Sequence, residues 1–214
     1  MKECISGNFA SPFWQALQNT IIKFSIDPKL LYDLIDAFAQ DLIKTRYKNF
    51  GELIAYCEKS ANPVGRIILA LNGINDTEAA IFSDKICTAL QLTNFYQDTS
   101  IDLQKDRVYY PIDELEQFNV SISDLKEGVM NENIKNLIKH QIQRTEILFG
   151  EGKKLIKFLP FKLRIQINAT IEGGLKILQK IEQIDFNVLK FRVKLSKFDT
   201  LLILLKALRN YAGN

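Results

Sequence analysis

Two aspartates one helical turn apart, Asp98 and Asp102, are the residues of this chain best placed to do chemistry. They stand in the run Gln91-Leu-Thr-Asn94-Phe-Tyr-Gln-Asp98-Thr-Ser-Ile-Asp102, followed at once by Leu-Gln-Lys-Asp-Arg107-Val-Tyr109-Tyr-Pro111. At about 100° per residue, positions 91, 94, 98 and 102 fall within roughly 80° of one another on a helix. Carboxylates that close on an otherwise apolar helix resist burial unless something positive sits between them. A hard divalent cation that binds one or two carboxylates and then phosphate oxygens meets that need, and Mg²⁺ behaves this way. Gln91 and Asn94 add neutral amides able to hold a diphosphate or a metal-bound water. An exposed, solvated polar face is the other reading, and the spacing alone leaves both open.

The element that must carry this stripe runs from about Asp76 to Leu103 without Gly or Pro, with Thr77 as cap and Glu78 behind it. One long helix is predicted there. Phe82, Ile86, Leu90, Phe95 and Ile101 give it enough apolar surface to be buried in a bundle. The rest of the chain is also helical in pattern. Ser11-Pro12 and Asp27-Pro28 open two helices with Pro near the first turn. Asp33, Asp36 and Asp41 on the second are expected to face solvent. Leu53, Ile54, Tyr56 and Cys57 lead into Ser60-Ala-Asn62-Pro63-Val64-Gly65-Arg66, where Pro63 predicts a kink or a non-helical step among small residues. Such a step serves packing in most bundles and seats substrate in others. A helix is expected from Asn131 to Leu159, soft at Gly150 and Gly152, and another from Phe161 to Ile184, interrupted at Gly173-Gly174. The result is an all-α single domain of about seven or eight helices.

Composition narrows the classes. At 214 residues with 47% hydrophobic and 25% charged, the chain is an ordinary globular domain. Cys4, Cys57 and Cys87 are odd in number and lack C-x-x-C spacing, so structural thiols in a reduced, cytoplasmic chain are expected. There is no signal-peptide pattern and no apolar run long enough to span a bilayer. His140, the one histidine, stands among Lys139 and Gln141, and no Ser/His/Asp or Cys/His set can be assembled. Net charge is +3, but residues 186–214 carry +5, leaving −2 for the rest. That asymmetry argues against a nucleic-acid protein with a broad basic face. The basic end, with Leu201, Leu202, Leu204, Leu205 and Leu208 on a final helix, suits either a packed closing helix or peripheral contact with an anionic membrane.

Together, Tyr56-Cys57 leading into Ser60-Ala-Asn-Pro-Val-Gly65, the Gln91, Asn94, Asp98, Asp102 spacing, and Arg107-Val-Tyr109-Tyr-Pro111 resemble the squalene/phytoene synthase family. The resemblance runs from about Ser11 to Arg209. It implies an all-α isoprenoid synthase-type bundle acting on farnesyl diphosphate or presqualene diphosphate. The Ser-Ala-Asn-Pro-Val-Gly-Arg phrase and Gln97 before Asp98 are most similar to the bacterial branch that makes hydroxysqualene for hopanoids. Squalene or presqualene diphosphate synthesis, and an inactive helical protein, are the alternatives.

Carried over by resemblance, Asp98 and Asp102 hold Mg²⁺ and diphosphate, with Gln91 and Asn94 beside them. Tyr56 and the step through Ser60, Asn62, Val64 and Gly65 line the pocket for the reacting carbons, and Phe95 joins that lining. Arg107 matches the basic residue after the motif, with a structural ion pair as the other reading. Two positions depart from the family's habit: Lys59 stands for a Tyr and Gln97 for an Arg. Loss of that Tyr disfavours reductive rearrangement and suits water capture. The family also has a first aspartate motif upstream, whereas no Asp-x-x-x-Asp precedes Tyr56 here. The resemblance therefore implies an N-terminally incomplete domain, expected to be inactive unless a partner supplies the missing carboxylates. A cytoplasmic location, peripheral to the inner membrane, is the matching expectation.

Overall fold

The computed structural model describes residues 5–7 and 11–212, with side chains through Leu208. Cys4 and the side chain of Arg209 lie outside the described residues. Among them the secondary structure is helical, without a strand. The described residues form eleven α-helical segments and one 3₁₀ turn, more than the seven or eight expected, because three are short helices of six residues.

Helices α1 (Pro12–Lys23) and α2 (Pro28–Gln40) both start on proline, and Asp27 Oδ1 accepts the Lys29 N–H at 2.9 Å. Helix α3 (Phe50–Ser60) is capped by Asn49, whose Oδ1 accepts from the Glu52 N–H at 2.9 Å. At Ala61 the backbone leaves helical geometry (φ −125°, ψ −49°), and α4 (Asn62–Leu71) restarts with Pro63 in its first turn. Pro63 lacks an N–H to donate, so the step falls where the sequence placed it.

Helix α5 (Thr77–Gln97) is the hub. Its buried residues, among them Ala79, Ile86, Leu92 and Tyr96, point to different sides, as a helix enclosed on all faces requires. The cap is Asp76, not Thr77: Asp76 Oδ1 accepts from the Ala79 N–H at 2.8 Å. The helix does not run on to Leu103. It bends at Asp98 (φ −98°, ψ 10°), and α6 (Thr99–Gln104) follows. The Thr99 hydroxyl lies 3.1 and 3.0 Å from the carbonyls of Phe95 and Tyr96 and 2.8 Å from the Tyr110 hydroxyl. Back-bonding of this kind competes with the helical ladder and bends it. The register survives, because Asp98 N–H to Asn94 O and Asp102 N–H to Asp98 O are both 2.9 Å.

Short helices α7 (Ile112–Gln117) and α8 (Ile122–Glu127) lead to α9 (Glu132–Gly152), which gives way to a 3₁₀ turn at Lys153–Phe158 in place of one helix to Leu159. A Cβ at Gly152 would lie 2.6 Å from Ile86 Cγ1, so the bare backbone is what lets α9 cross α5. Helix α10 (Phe161–Gln183) is continuous, contrary to the expected break at Gly173-Gly174. A Cβ at Gly174 would stand 2.4 Å from Phe149 Cζ; the glycine seats that ring. Helices α3, α4, α9 and α10 pack around α5, and α11 (Lys197–Ala212) packs on α10.

Two connectors bring distant residues to the bend. The N–H groups of Val108, Ile112 and Asp113 donate to the carbonyls of Thr45, Tyr47 and Lys48 at 2.9–3.1 Å, laying residues 45–48 beside 108–113. A buried network holds that junction to α9: Tyr96 OH donates to Gln141 Oε1 at 3.0 Å, and Arg144 Nη1 to Glu114 Oε1 at 2.6 Å. Burial alone would raise the Glu114 carboxyl, but the hydrogen bonds from Arg144 and Gln141 hold it below its ordinary range.

Candidate active site

Asp98 and Asp102 flank the bend between α5 and α6. Asp98 faces Arg192, whose Nε and Nη2 donate to the two carboxylate oxygens at 2.6 and 3.1 Å. Arg192 lies on the irregular segment 184–196 between α10 and α11. Buried Leu189 and Val193 anchor that segment, and the Gln97 side chain donates to Val193 O at 2.7 Å. Asp102 is half-buried. Burial first, and the Asp98 charge second, push its carboxyl above the usual range, against Lys105 and Arg107.

Behind Asp102 stands an aromatic wall. Phe95 and Tyr109 stack with centroids 3.7 Å apart and planes 5° from parallel; Tyr56 lies 6.1 Å from Phe95 and Tyr47 5.6 Å from Tyr56. Tyr56 OH donates to Asp41 Oδ1 at 2.7 Å, and Arg107 Nη2 donates to Asp41 O at 3.0 Å. Burial, then the bond to Asp41, holds the Tyr56 phenol far above its ordinary value. Burial, then the Asp102 charge, pushes Tyr109 up to about 12. Phe95, Asp102, Arg107 and Tyr109 line a narrow crevice.

Moving back along α5 the surroundings become apolar. Leu90 and Asn94 line a cavity of about 390 Å³ with Gly173, Gly174, Leu195 and Leu204. One turn deeper, Ser83, Cys87 and Leu90 line a second cavity of about 170 Å³, opposite Val64 and Gly65, with Leu155, Leu159 and Leu163 closing it. Leu90 and Thr170 line both, so the two adjoin. A Cβ at Gly65 would lie 2.4 Å from Ser83 Oγ and 2.6 Å from Cys87 Sγ, which shows how closely α4 and α5 approach. Burial raises the thiols of Cys57 and Cys87 to about 12 and about 11, so both stay protonated and neither is a nucleophile.

Thus the structure brings Tyr56, Phe95, Asp102 and Arg107 together, with Asp98 at the edge in a pair with Arg192. Asn94, Val64 and Gly65 line the cavities. Asn62 is buried and accepts from Thr88 Oγ1 at 3.0 Å, tying α4 to α5, while Gln91 is half-buried. Ser60 Oγ is buried beside the helix step without a hydrogen-bond partner among the described residues. Two participants were not foreseen. Asp41 was expected in solvent; Asp36 does face it, in a 3.2 Å pair with Lys59, but Asp41 turns to Tyr56. Arg192 looked like one more cation in a basic run, since nothing local in Leu-Lys-Phe-Arg-Val-Lys-Leu signals a partner far back in the chain.

Among the described residues no cluster of three or more His, Cys, Asp or Glu gathers as a complete cation cage. Two hard carboxylates one turn apart, one of them destabilised by the other's charge, are instead the donor set Mg²⁺ accepts when phosphate and water fill the remaining positions.

A family model described as squalene/phytoene synthase matches residues 2–199. Phytoene synthase 1 of Zea mays is 34% identical over 195 residues, covering 88% of this chain and 48% of that protein. Phytoene synthase 2 of Solanum lycopersicum is 33% identical over 195 residues, with 88% and 63% covered. The chain spans about half the length of the curated relatives it matches. Among solved structures, squalene synthase HpnC from Alicyclobacillus acidocaldarius is 34% identical, with a TM-score of 0.84 over 87% of this chain and 71% of that one. A dehydrosqualene synthase solved with a ligand shares the fold, with a TM-score of 0.90 at 19% identity over 100% of this chain and 76% of that one.

Proposed function

Because the chain belongs to the squalene/phytoene synthase family, we propose that its α5 face binds a prenyl diphosphate, and that the reaction is conversion of presqualene diphosphate to hydroxysqualene. The observation that carries this reading is the order of side chains on that face. Asp102 and Asp98 are followed by Asn94, then by Leu90, Cys87 and Ser83, an anionic end leading into adjoining apolar cavities. A molecule with a diphosphate head and a long hydrocarbon body has that polarity. Asp98 and Asp102 would hold Mg²⁺, which supplies charge neutralisation for the departing diphosphate. A second set of carboxylates, from another segment or a partner polypeptide, would complete that neutralisation.

The chain's own groups have distinct parts in this proposal. Arg192, which neutralises Asp98 in this structure, would be free to pair with phosphate oxygens if the two aspartates held a divalent ion. Asn94 and Gln91 orient the head by neutral hydrogen bonds. The stacked Phe95 and Tyr109, with Tyr56 beside them, form a wall that keeps bulk water from the carbocation, so that a single admitted water adds its oxygen to the cationic carbon and loses a proton to solvent. Arg107, fixed on Asp41 O, buttresses the wall beside Asp102. Lys59, at the position where the family more often has Tyr, points to Asp36 at the surface, which suits a product formed without reduction.

The curated matches favour one second reading: phytoene-type condensation of longer prenyl diphosphates, supported by 34% identity to a phytoene synthase. The test is to combine the protein with the segment or partner polypeptide that supplies the second carboxylates, incubate with Mg²⁺ and, separately, presqualene, farnesyl and geranylgeranyl diphosphates, then identify products by mass spectrometry. Without that addition no product is expected. Hydroxysqualene from the first supports the proposal. A phytoene-sized hydrocarbon from the third establishes the second reading in its place.

A further inference from the structure

Helix α11 is turned inside out. At about 100° per residue its outward arc, roughly 160° wide, holds Phe198, Leu201, Leu202, Leu204, Leu205 and Leu208. Each is between 46% and 68% exposed. The face that packs on α10 carries Ile203 as its one large apolar residue, with smaller or polar residues beside it. Ala207 is buried there, as is Asp199, which is held by Lys180 at 2.8 Å and by the Ser196 backbone N–H at 2.7 Å. The sequence left open whether the leucines close the bundle; the structure leaves them outside. A continuous apolar surface of this size on a folded domain marks a docking face.

The charges around that face indicate what docks. Phe191 and Leu195, 57% and 38% exposed, precede it on segment 184–196, interleaved with Lys190 and Lys194, and Lys197 opens the helix itself. None of these three lysines has an ion pair among the described residues, whereas Lys206 and Arg192 are engaged by Glu172 and Asp98. The one carboxylate of α11 with a described side chain, Asp199, points inward. Leucines and phenylalanines edged by uncompensated lysines, with no acid among them, suit the interface of an anionic bilayer. An acidic protein helix would satisfy the lysines, and it is the outcome that a concentration-independent response to anionic vesicles excludes.

We propose that the outer face of α11, with the lysines of segment 184–196, docks on an anionic lipid surface. The placement of two of its residues adds a consequence. Leu195 and Leu204 both lie on the exposed face and line the 390 Å³ cavity beside Asn94. Docked, the protein sets one wall of that cavity at the hydrocarbon boundary, and a membrane-dissolved substrate enters between α10 and α11 without crossing water. The docking stands on the surface alone; the entry route rests on the isoprenoid reading above.

Flotation with vesicles tests the docking independently of catalysis. Pure phosphatidylcholine vesicles are compared with vesicles holding about 30 mol% phosphatidylserine. The protein is expected to float with the anionic vesicles at least about tenfold more than with the neutral ones, and to be released by salt. L201E/L205E, at positions already exposed, should abolish flotation while circular dichroism stays unchanged. K190Q/K194Q/K197Q, which spares the leucines, should weaken it about fivefold per lysine. Equal recovery on both vesicle types, none on either, or a concentration-dependent dimer that buries the leucines would each overturn the proposal. Failure here leaves the product assignment intact, since the mass-spectrometric test above uses substrate dispersed without vesicles.

Discussion

Asp102 is a carboxylate whose surroundings work against its charge. Burial and the neighbouring Asp98 raise its folded-state pKa above the unfolded value. A group so shifted contributes most below its unfolded pKa, and that contribution is lost as pH rises through the folded value. At neutral pH an ionised Asp102 therefore costs stability, and Asp102→Asn should raise it by up to about 1 kcal/mol, screened because the group is half exposed. The gain should vanish near pH 3, about a unit below the ordinary carboxylate pKa. Thermal melts at the two pH values read this directly, and a destabilised variant at neutral pH would show that Asp102 is held by a partner rather than left in need of one. Asp98 should behave oppositely: with its guanidinium partner in place, Asp98→Asn should lower stability by about 0.5–1 kcal/mol. The contrast also marks what could be read from the chain alone. The spacing of the two aspartates revealed their shared face. Their different environments depend on Arg192, and no periodicity connects it to them.

At the scale of elements, what was legible depended on whether the signal was local. Pro63 and the starts at Asp27-Pro28 and Asn131 act through their own backbone neighbours, and those helices begin where the sequence put them, whereas Asn49, read as part of a connector, caps a helix that already starts at Phe50. The bend at Asp98 was missed because Thr99 is an ordinary helix residue until Tyr110 arrives to hold its hydroxyl. The glycines were misread for a related reason. Gly174 looks like a helix breaker in isolation, but a neighbouring helix supplies the Phe149 ring that needs its missing side chain. Gly174→Ala should therefore destabilise by about 1–3 kcal/mol through overpacking, even though alanine is the better helix former. Urea unfolding measures this, and a stabilised variant would mean that the Phe149 ring moves aside freely. Glu114→Ala should cost about 3–5 kcal/mol, because Arg144 of α9 is left largely buried with its charge unpaired.

For the whole molecule, the all-α class and the family followed from blocks spread over most of the chain, and both stand. The product did not follow, since product choice depends on cavity shape, which local motifs do not carry. The central claim is that Asp98 and Asp102 form the cation-dependent head site of a prenyl diphosphate pocket. Isothermal titration of the protein with a non-hydrolysable farnesyl thiodiphosphate, with and without Mg²⁺, tests it without requiring turnover. The account predicts binding that weakens at least about tenfold on chelation of Mg²⁺ and to a similar degree in Asp98→Ala, a loss of about 1.4 kcal/mol or more. Equal affinity with and without Mg²⁺, and in wild type and Asp98→Ala alike, would contradict it.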